Sequence, residues 1–114
     1  MLEKKFQSGL IKKIKLRLPG AMVLKQDPNY LQGIPDLLIL YGNKWASLEV
    51  KKDGYSSHRP NQDYYVNKMN NMSFSSFIYP ENEDEVLNEM VLFLTCKQSK
   101  NITMRHYGYF KEVI

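Results

Sequence analysis

The stretch Gly33-Ile34-Pro35-Asp36-Leu37-Leu38-Ile39-Leu40-Tyr41-Gly42-Asn43-Lys44-Trp45-Ala46-Ser47-Leu48-Glu49-Val50-Lys51 decides the fold. Two apolar runs, 37–40 and 45–48, flank Gly42-Asn43-Lys44, which reads as a hairpin turn. Asp36 opens the first run, and Glu49 and Lys51 close the second. Folding the hairpin brings Asp36 near Glu49. Side chains alternate along a strand, so Glu49 and Lys51 share a face and Val50 points away. Two carboxylates and an amine then converge on one spot.

Upstream, residues 2–18 read as a helix. Phe6, Leu10, Ile11, Ile14 and Leu18 fall on one arc, and Pro19-Gly20 ends it. Glu3 lands in the middle of that apolar arc. An inward acid needs a metal or a lysine to satisfy it; exposure at the chain end is the alternative. Ala21 to Gln26 is expected as a first strand. Asp27-Pro28-Asn29 and Gly33-Ile34-Pro35 punctuate the loop that follows.

Downstream, Asp53-Gly54 and Ser56-Ser57 mark a loop, with Ser57 the expected cap of a second helix that runs to about Asn71. Gln62 is placed on the inward face of that helix. Phe74 to Tyr79 reads as a fourth strand. Asn82, with Glu85 three residues on, resembles a capping arrangement for a third helix over 83–95. The tail from Ile102 to Phe110 is assigned a last strand. The resulting order, α-β-β-β-α-β-α, mixes hairpin and crossover connections. An α/β fold with a mixed sheet flanked by helices follows, built as one domain over 1–114.

Phosphodiester hydrolysis requires an activated water and a stabilised leaving oxygen, and carboxylate-held Mg²⁺ serves both needs. Asp36 and Glu49 would be direct ligands, with the Val50 carbonyl beside them. Lys51 is placed to orient the nucleophile or stabilise charge on the phosphate. Glu3 would bind metal through water or support a second ion, and Gln62 would hydrogen-bond a ligand, a water or Lys51. Pro-Asp or Glu-x-Lys alone reads as a turn or a surface ion pair; the combination is far more specific.

The boxes Gly33-Ile34-Pro35-Asp36 and Leu48-Glu49-Val50-Lys51 resemble those of the PD-(D/E)XK nuclease superfamily, and more closely its VRR-NUC (virus-type replication–repair nuclease) family. The resemblance covers about residues 1–95 and takes in Glu3, the Ser56-Ser57 loop and Gln62. It implies a restriction-endonuclease-like αβββαβ core. It implies catalysis by Asp36, Glu49 and Lys51, supported by Glu3 and Gln62. The family's stand-alone members are short, often phage-encoded, and resemble Holliday junction resolvases. One departure is Asn70-Asn71-Met72, where the family often has glycine.

The chain has 114 residues, a net charge of +4 and one cysteine, Cys96. An internal disulfide and a cysteine-rich metal site are excluded, and a reducing, cytoplasmic setting is expected. No apolar run approaches membrane-spanning length, and Met1-Leu2-Glu3-Lys4-Lys5 reads as amphipathic rather than as a signal peptide. Lys12, Lys15 and other cations line the first helix, while Lys44, Lys51, Lys52, His58 and Arg59 are expected around the site. The acids Glu81, Glu83, Asp84, Glu85 and Glu89 cluster elsewhere. Such segregation suits a polyanion, with Lys12, Lys15, Lys52, Ser57, His58 and Arg59 as DNA contacts. Tyr30, Tyr55, Tyr64 and Tyr65 offer base-stacking surfaces, although packing is the commoner role of tyrosine.

These features lead to a Mg²⁺-dependent DNA endonuclease, with Mn²⁺ as substitute, acting on branched or junction DNA as a homodimer. The alternatives are a nicking, flap or exonuclease, or a non-cleaving DNA-binding protein that retains the fold. Retention of Asp36, Glu49 and Lys51 argues against the last.

Overall fold

The computed structural model describes residues 2–96. Helix α1 (Glu3–Arg17) is followed by strands β1 (Met22–Lys25), β2 (Leu37–Tyr41) and β3 (Lys44–Val50). Helix α2 (Pro60–Met72), strand β4 (Phe74–Ile78), a 3-10 turn (Pro80–Asn82) and helix α3 (Glu83–Thr95) follow within the described residues. The order of helices and strands is the one expected over this range. The strand assigned to 102–110 lies outside the described residues.

The four strands form one mixed sheet in the order β1-β2-β3-β4. The β1–β2 and β2–β3 pairs are antiparallel, and β3–β4 is parallel, as a helical crossover through α2 requires. Gly42 turns the β2–β3 hairpin with φ +60°, a backbone conformation that suits glycine.

Register assigns each side chain to a face. Leu37, Ile39, Ala46, Leu48, Val50, Phe74 and Ile78 share one face, all of them buried. Phe6, Leu10, Ile14 and Leu18 of α1 cover that face together with Val86, Leu87, Met90, Phe93 and Leu94 of α3, making one apolar core. On the opposite face lie Leu38, Leu40, Trp45, Ser47 and Glu49. Helix α2 covers only the β3–β4 half of it and contributes one buried apolar residue, Val66. Ser47 and Ser75, buried beneath α2, satisfy each other through a 2.8 Å hydroxyl hydrogen bond.

Several expected boundaries move. β1 spans Met22–Lys25, β2 begins after Asp36, and β3 ends at Val50. The cap of α2 is Arg59, not Ser57, because Pro60 occupies the first helical position and fixes the preceding residue in extended conformation. Asn82 turns backward instead of capping α3: its Oδ1 accepts from the Tyr79 N–H at 2.8 Å and its Nδ2 donates to the Phe77 carbonyl at 3.2 Å. Among the described residues, no helix is long and apolar enough to cross a membrane.

Candidate functional site

The site is built where the three-strand ladder runs out. Leu37 pairs with Leu48, so one further step of that register sets Asp36 opposite Glu49. Asp36 is anchored twice. Its backbone carbonyl accepts from the Gln26 N–H at 2.8 Å, and its Oδ2 accepts from the Val50 N–H at 2.9 Å. The second bond aims the carboxylate across the hairpin toward Glu49.

Glu49 is 4% exposed, and its two oxygens differ in environment. Oε2 accepts from Gln62 Nε2 at 3.0 Å and lies 3.9 Å from Lys51 Nζ. Oε1 is buried without any hydrogen bond of normal geometry. An acceptor in that condition calls for a cation, a proton or a water. Burial, followed by the charge of Asp36, pushes the Glu49 carboxyl up to about 8, against relief from Lys51 and from the Asp36 backbone N–H. Asp36 is also raised, chiefly by burial, with the Val50 N–H and Lys51 opposing.

Gln62 is the hub. Its Oε1 accepts from Lys51 Nζ at 2.9 Å and from the Arg59 N–H at 3.1 Å, while its Nε2 holds Glu49. One amide therefore fixes the amine and the acid relative to each other and ties both to the start of α2. Gln62 stands at the third helical position, where Gln and Glu commonly reach back to the cap residue.

Glu3 comes to the site from the other side of the chain. It is exposed in the first turn of α1 rather than inward-pointing as its place on the apolar arc suggests. It still feels the site: burial first, then Asp36, raises its carboxyl, while Lys51 and Lys52 oppose. Among the described residues, no three His, Cys, Asp or Glu side chains form a metal-binding group. The compact acidic pair is thus Asp36 with Glu49, and Glu3 is peripheral. Magnesium keeps several of its waters and is commonly bound through one or two carboxylates plus substrate phosphate. The orphaned Glu49 oxygen and the raised carboxyls fit a divalent cation on that pattern.

A cleft of about 230 Å³ opens beside the pair, lined by Asp36, Glu49, Gln62, Arg59, Asn61 and Gly33 among others. Asn61 and Gly33 have roles that pattern reading missed. Asn61 Nδ2 donates to the Gln32 carbonyl at 3.2 Å, docking the 27–35 loop on α2. Gly33 has φ +92°, and a Cβ there would lie 2.6 Å from the Asn61 side chain and 2.9 Å from its backbone carbonyl carbon. The glycine of the Gly-Ile-Pro-Asp box is thus also a close-packing site. No local signal marks Asn61 as its partner.

The expected cations separate. Arg59 lines the cleft, and Lys52 is exposed near enough for Glu3 to sense it. Ser57 is exposed in the loop before α2. His58 stacks on Phe77 with centroids 3.8 Å apart, and its Nδ1 lies 3.0 Å from Asp63 Oδ1. Phe77 is the register partner of Glu49, so that ring borders the site. Lys12 and Lys15 are exposed on α1, roughly 13 and 18 Å of helix beyond Glu3.

Lys44 does not surround the site. It lies at the turn end of the hairpin, where its Nζ donates to the Phe93 carbonyl at 3.4 Å and to the Cys96 carbonyl. The expected separation of acids from bases is also incomplete. Lys13 pairs with Glu83 at 2.7 Å, and Glu81 accepts from the Gly54 N–H at 3.2 Å. Tyr30 and Tyr55 are 89% and 95% exposed, which removes them from any core role within the described residues.

The arrangement is therefore an α/β scaffold that gathers a buried and a half-buried acid, an amine and an amide at the rim of a cleft. Compared with models of known protein families, with curated proteins and with solved structures, the chain matches none.

Proposed function

We propose that this chain is a metal-dependent deoxyribonuclease of the PD-(D/E)XK type, resembling the VRR-NUC family, with a restriction-endonuclease-like αβββαβ core. The observation that carries the reading is the Glu49 carboxylate. It is buried against Asp36, one oxygen lacking any side-chain donor or hydrogen bond of normal geometry, while the other is shared with Lys51 and Gln62.

Asp36 and Glu49 would hold Mg²⁺, or Mn²⁺ in its place, with the Val50 carbonyl and a water-mediated Glu3 as further donors. When bound, the ion lowers the pKa of water and offsets charge on the scissile phosphate. Asp36 enters this role oriented, because the Val50 N–H fixes its carboxylate. Lys51, held by Gln62, keeps its ammonium beside the acids, where it orients the attacking water or stabilises negative charge developing on phosphate. Arg59 at the cleft, with Lys52, Ser57 and His58 on the adjoining loop, supplies backbone contacts. Lys12 and Lys15 extend that track along α1. The exposed rings of Tyr30 and Tyr55 offer stacking surfaces to unpaired bases.

Backbone contacts position a protein without reading sequence, so selectivity falls to DNA structure. A homodimer acting on branched DNA of the four-way-junction kind suits one site per chain, since two-fold symmetry presents two sites to two strands. The test is cleavage of a labelled panel: four-way junction, flap, nicked duplex, plain duplex and single strand. Each is run with Mg²⁺, Mn²⁺ or EDTA, beside Asp36→Ala. Paired junction cuts, lost in EDTA and in the variant, are the expected result. Cutting of flaps or single strands instead would retain the chemistry and discard the junction preference. Binding with no cutting of any substrate would overturn the enzyme reading.

A further inference from the structure

The 27–35 loop stands between two hollows. Pro28, Asn29, Gln32 and Gly33 line the acidic cleft. Asp27, Tyr30 and Leu31 line a second hollow of about 320 Å³, completed by Lys25, Gln26 and Ile34. Ile34 is the residue common to both, so the loop is the wall that divides them.

That wall is braced along its length. The Gln26 N–H donates to the Asp36 carbonyl at 2.8 Å and closes the loop at its base. Asp27 turns the chain: its Oδ1 accepts from the Asn29 N–H at 2.9 Å, and its carbonyl accepts from the Tyr30 N–H at 3.1 Å. The Ile34 N–H returns to the Leu31 carbonyl at 3.2 Å, and Asn61 fastens Gln32 to α2. A compact loop with its ends joined in this way is frequently functional. It leaves Tyr30 89% exposed and Leu31 37% exposed at the second hollow. The ring is thus presented outward on a fixed support, at the lip of the cleft.

We propose that the second hollow is a subsite for one unpaired nucleotide, and that the loop parts the two strands of a branched substrate. The inference rests on the nuclease reading for the cut strand, which passes through the Asp36–Glu49 cleft. The other strand, leaving the duplex at the branch, lays its first unpaired base on the far side of the loop. That base stacks on Tyr30. Leu31 stands beside it as a wedge, since apolar side chains inserted between base steps unstack and kink DNA. The Gln26 amide offers a donor and an acceptor to a base edge, and the exposed Lys25 ammonium meets the phosphate. The one acid at this hollow, Asp27, already spends Oδ1 on the loop itself. A hollow of this size admits a nucleotide and excludes a duplex. Plain duplex, with every base paired, leaves it unused, so branched DNA is preferred without any reading of sequence.

The test uses the full chain in EDTA, which prevents cleavage, and a forked duplex carrying 5-iodouracil at the first unpaired position of one arm or the other. On irradiation, one of the two probes is expected to cross-link to Tyr30, identified by peptide mass. The same base paired within plain duplex should give no Tyr30 adduct. Tyr30→Ser should weaken binding of the fork about 10-fold and of plain duplex less than about twofold, and Tyr30→Phe should restore the fork. Lys25→Gln should reduce the salt slope on the fork by about one. The cross-link needs no variant to fold. An adduct at another residue, or equal loss on fork and duplex in Tyr30→Ser, overturns the subsite. A wild-type chain that binds no DNA overturns both the subsite and the nuclease reading. A Tyr30 adduct from a chain that cuts nothing in Mg²⁺ overturns the nuclease reading and leaves the subsite standing on a DNA-binding protein.

Discussion

The two ends of the β2–β3 hairpin are made of similar apolar strands and carry opposite chemistry. At the open end, Asp36 and Glu49 face each other with too few donors for their oxygens, and both carboxyls are raised. At the turn end, Lys44 spends its ammonium on the last carbonyls of α3, a stabilising arrangement at a helix C-terminus. The open end leaves its acids under-satisfied, whereas the turn end satisfies its amine. A group kept under-satisfied at the rim of a cleft is a candidate for chemistry, and a group fully used inside the fold is a candidate for structure. Substitutions at the two ends should therefore fail in different assays.

The largest expected effect is at the open end. Asp36→Ala or Lys51→Ala should lower cleavage by about 10³-fold or more, leaving the thermal transition and most DNA affinity in place. Lys44→Met should leave cleavage unchanged. A fully active Lys51→Ala protein would remove the role given to that amine. Next is Gly33→Ala. Its φ of +92° disfavours any side chain, and the added Cβ would strike the Asn61 backbone. A loss of about 2–3 kcal/mol in urea denaturation is expected, with the 27–35 loop displaced from α2.

These contrasts also indicate which parts of the molecule were legible in its sequence. The hairpin was, because two short apolar runs around a glycine turn are local signals. From it followed the convergence of Asp36, Glu49 and Lys51. Gln62 was placed correctly on the site side, but its hub role depends on Arg59 being the cap, which Pro60 fixes and which the serines of the loop obscured. Lys44 was grouped with the site by closeness in sequence. Five residues of strand separate it from Glu49 by about 17 Å, and that rise places it at the far end. Gly33 against Asn61, and the half-open sheet face, were not legible at all. Each depends on where α2 lies over the sheet, a long-range outcome that no window of sequence contains.

The pH dependence sharpens the comparison further. The Glu49 carboxyl is held near 8 in the fold against an ordinary 4.5. Between those values the folded chain keeps a proton that the unfolded chain has lost. Folding stability from this group is therefore full below about pH 4.5 and declines as pH rises through 8. Asp36 and Glu3 are raised too and act in the same direction. In EDTA, the melting temperature should fall from pH 6 to pH 9, by an amount corresponding to a few kcal/mol. Mg²⁺ should restore it most at pH 9, where no proton competes for the carboxylates. Glu49→Gln should flatten both responses. A melting temperature independent of pH and of Mg²⁺ would sink the account of the open end.

Gln62→Ala tests the link between the acids and the amine. It leaves Lys51 and Glu49 in place and removes the amide that holds both. Cleavage should drop about 10- to 100-fold, the scale seen when groups that orient metal ligands are lost. Raising Mg²⁺ should recover part of that loss, whereas it should recover none in Asp36→Ala.

The smallest expected effect is at the turn end, and it completes the contrast. Lys44→Met keeps the aliphatic length of the side chain and removes its charge. Two acceptors at the end of α3, the Phe93 and Cys96 carbonyls, then lose this donor, as does the Phe93 ring, whose centroid lies 5.9 Å from Nζ. The side chain is half-buried, so water replaces the donor in part, and a destabilisation of about 1 kcal/mol is expected. The loss should be independent of Mg²⁺ and nearly flat from pH 6 to pH 9, because Lys44 meets carbonyls and a ring there rather than a raised carboxyl. If Lys44→Met instead lowered cleavage while leaving stability untouched, the turn end would belong to the DNA-binding surface and the division of labour along the hairpin would fail.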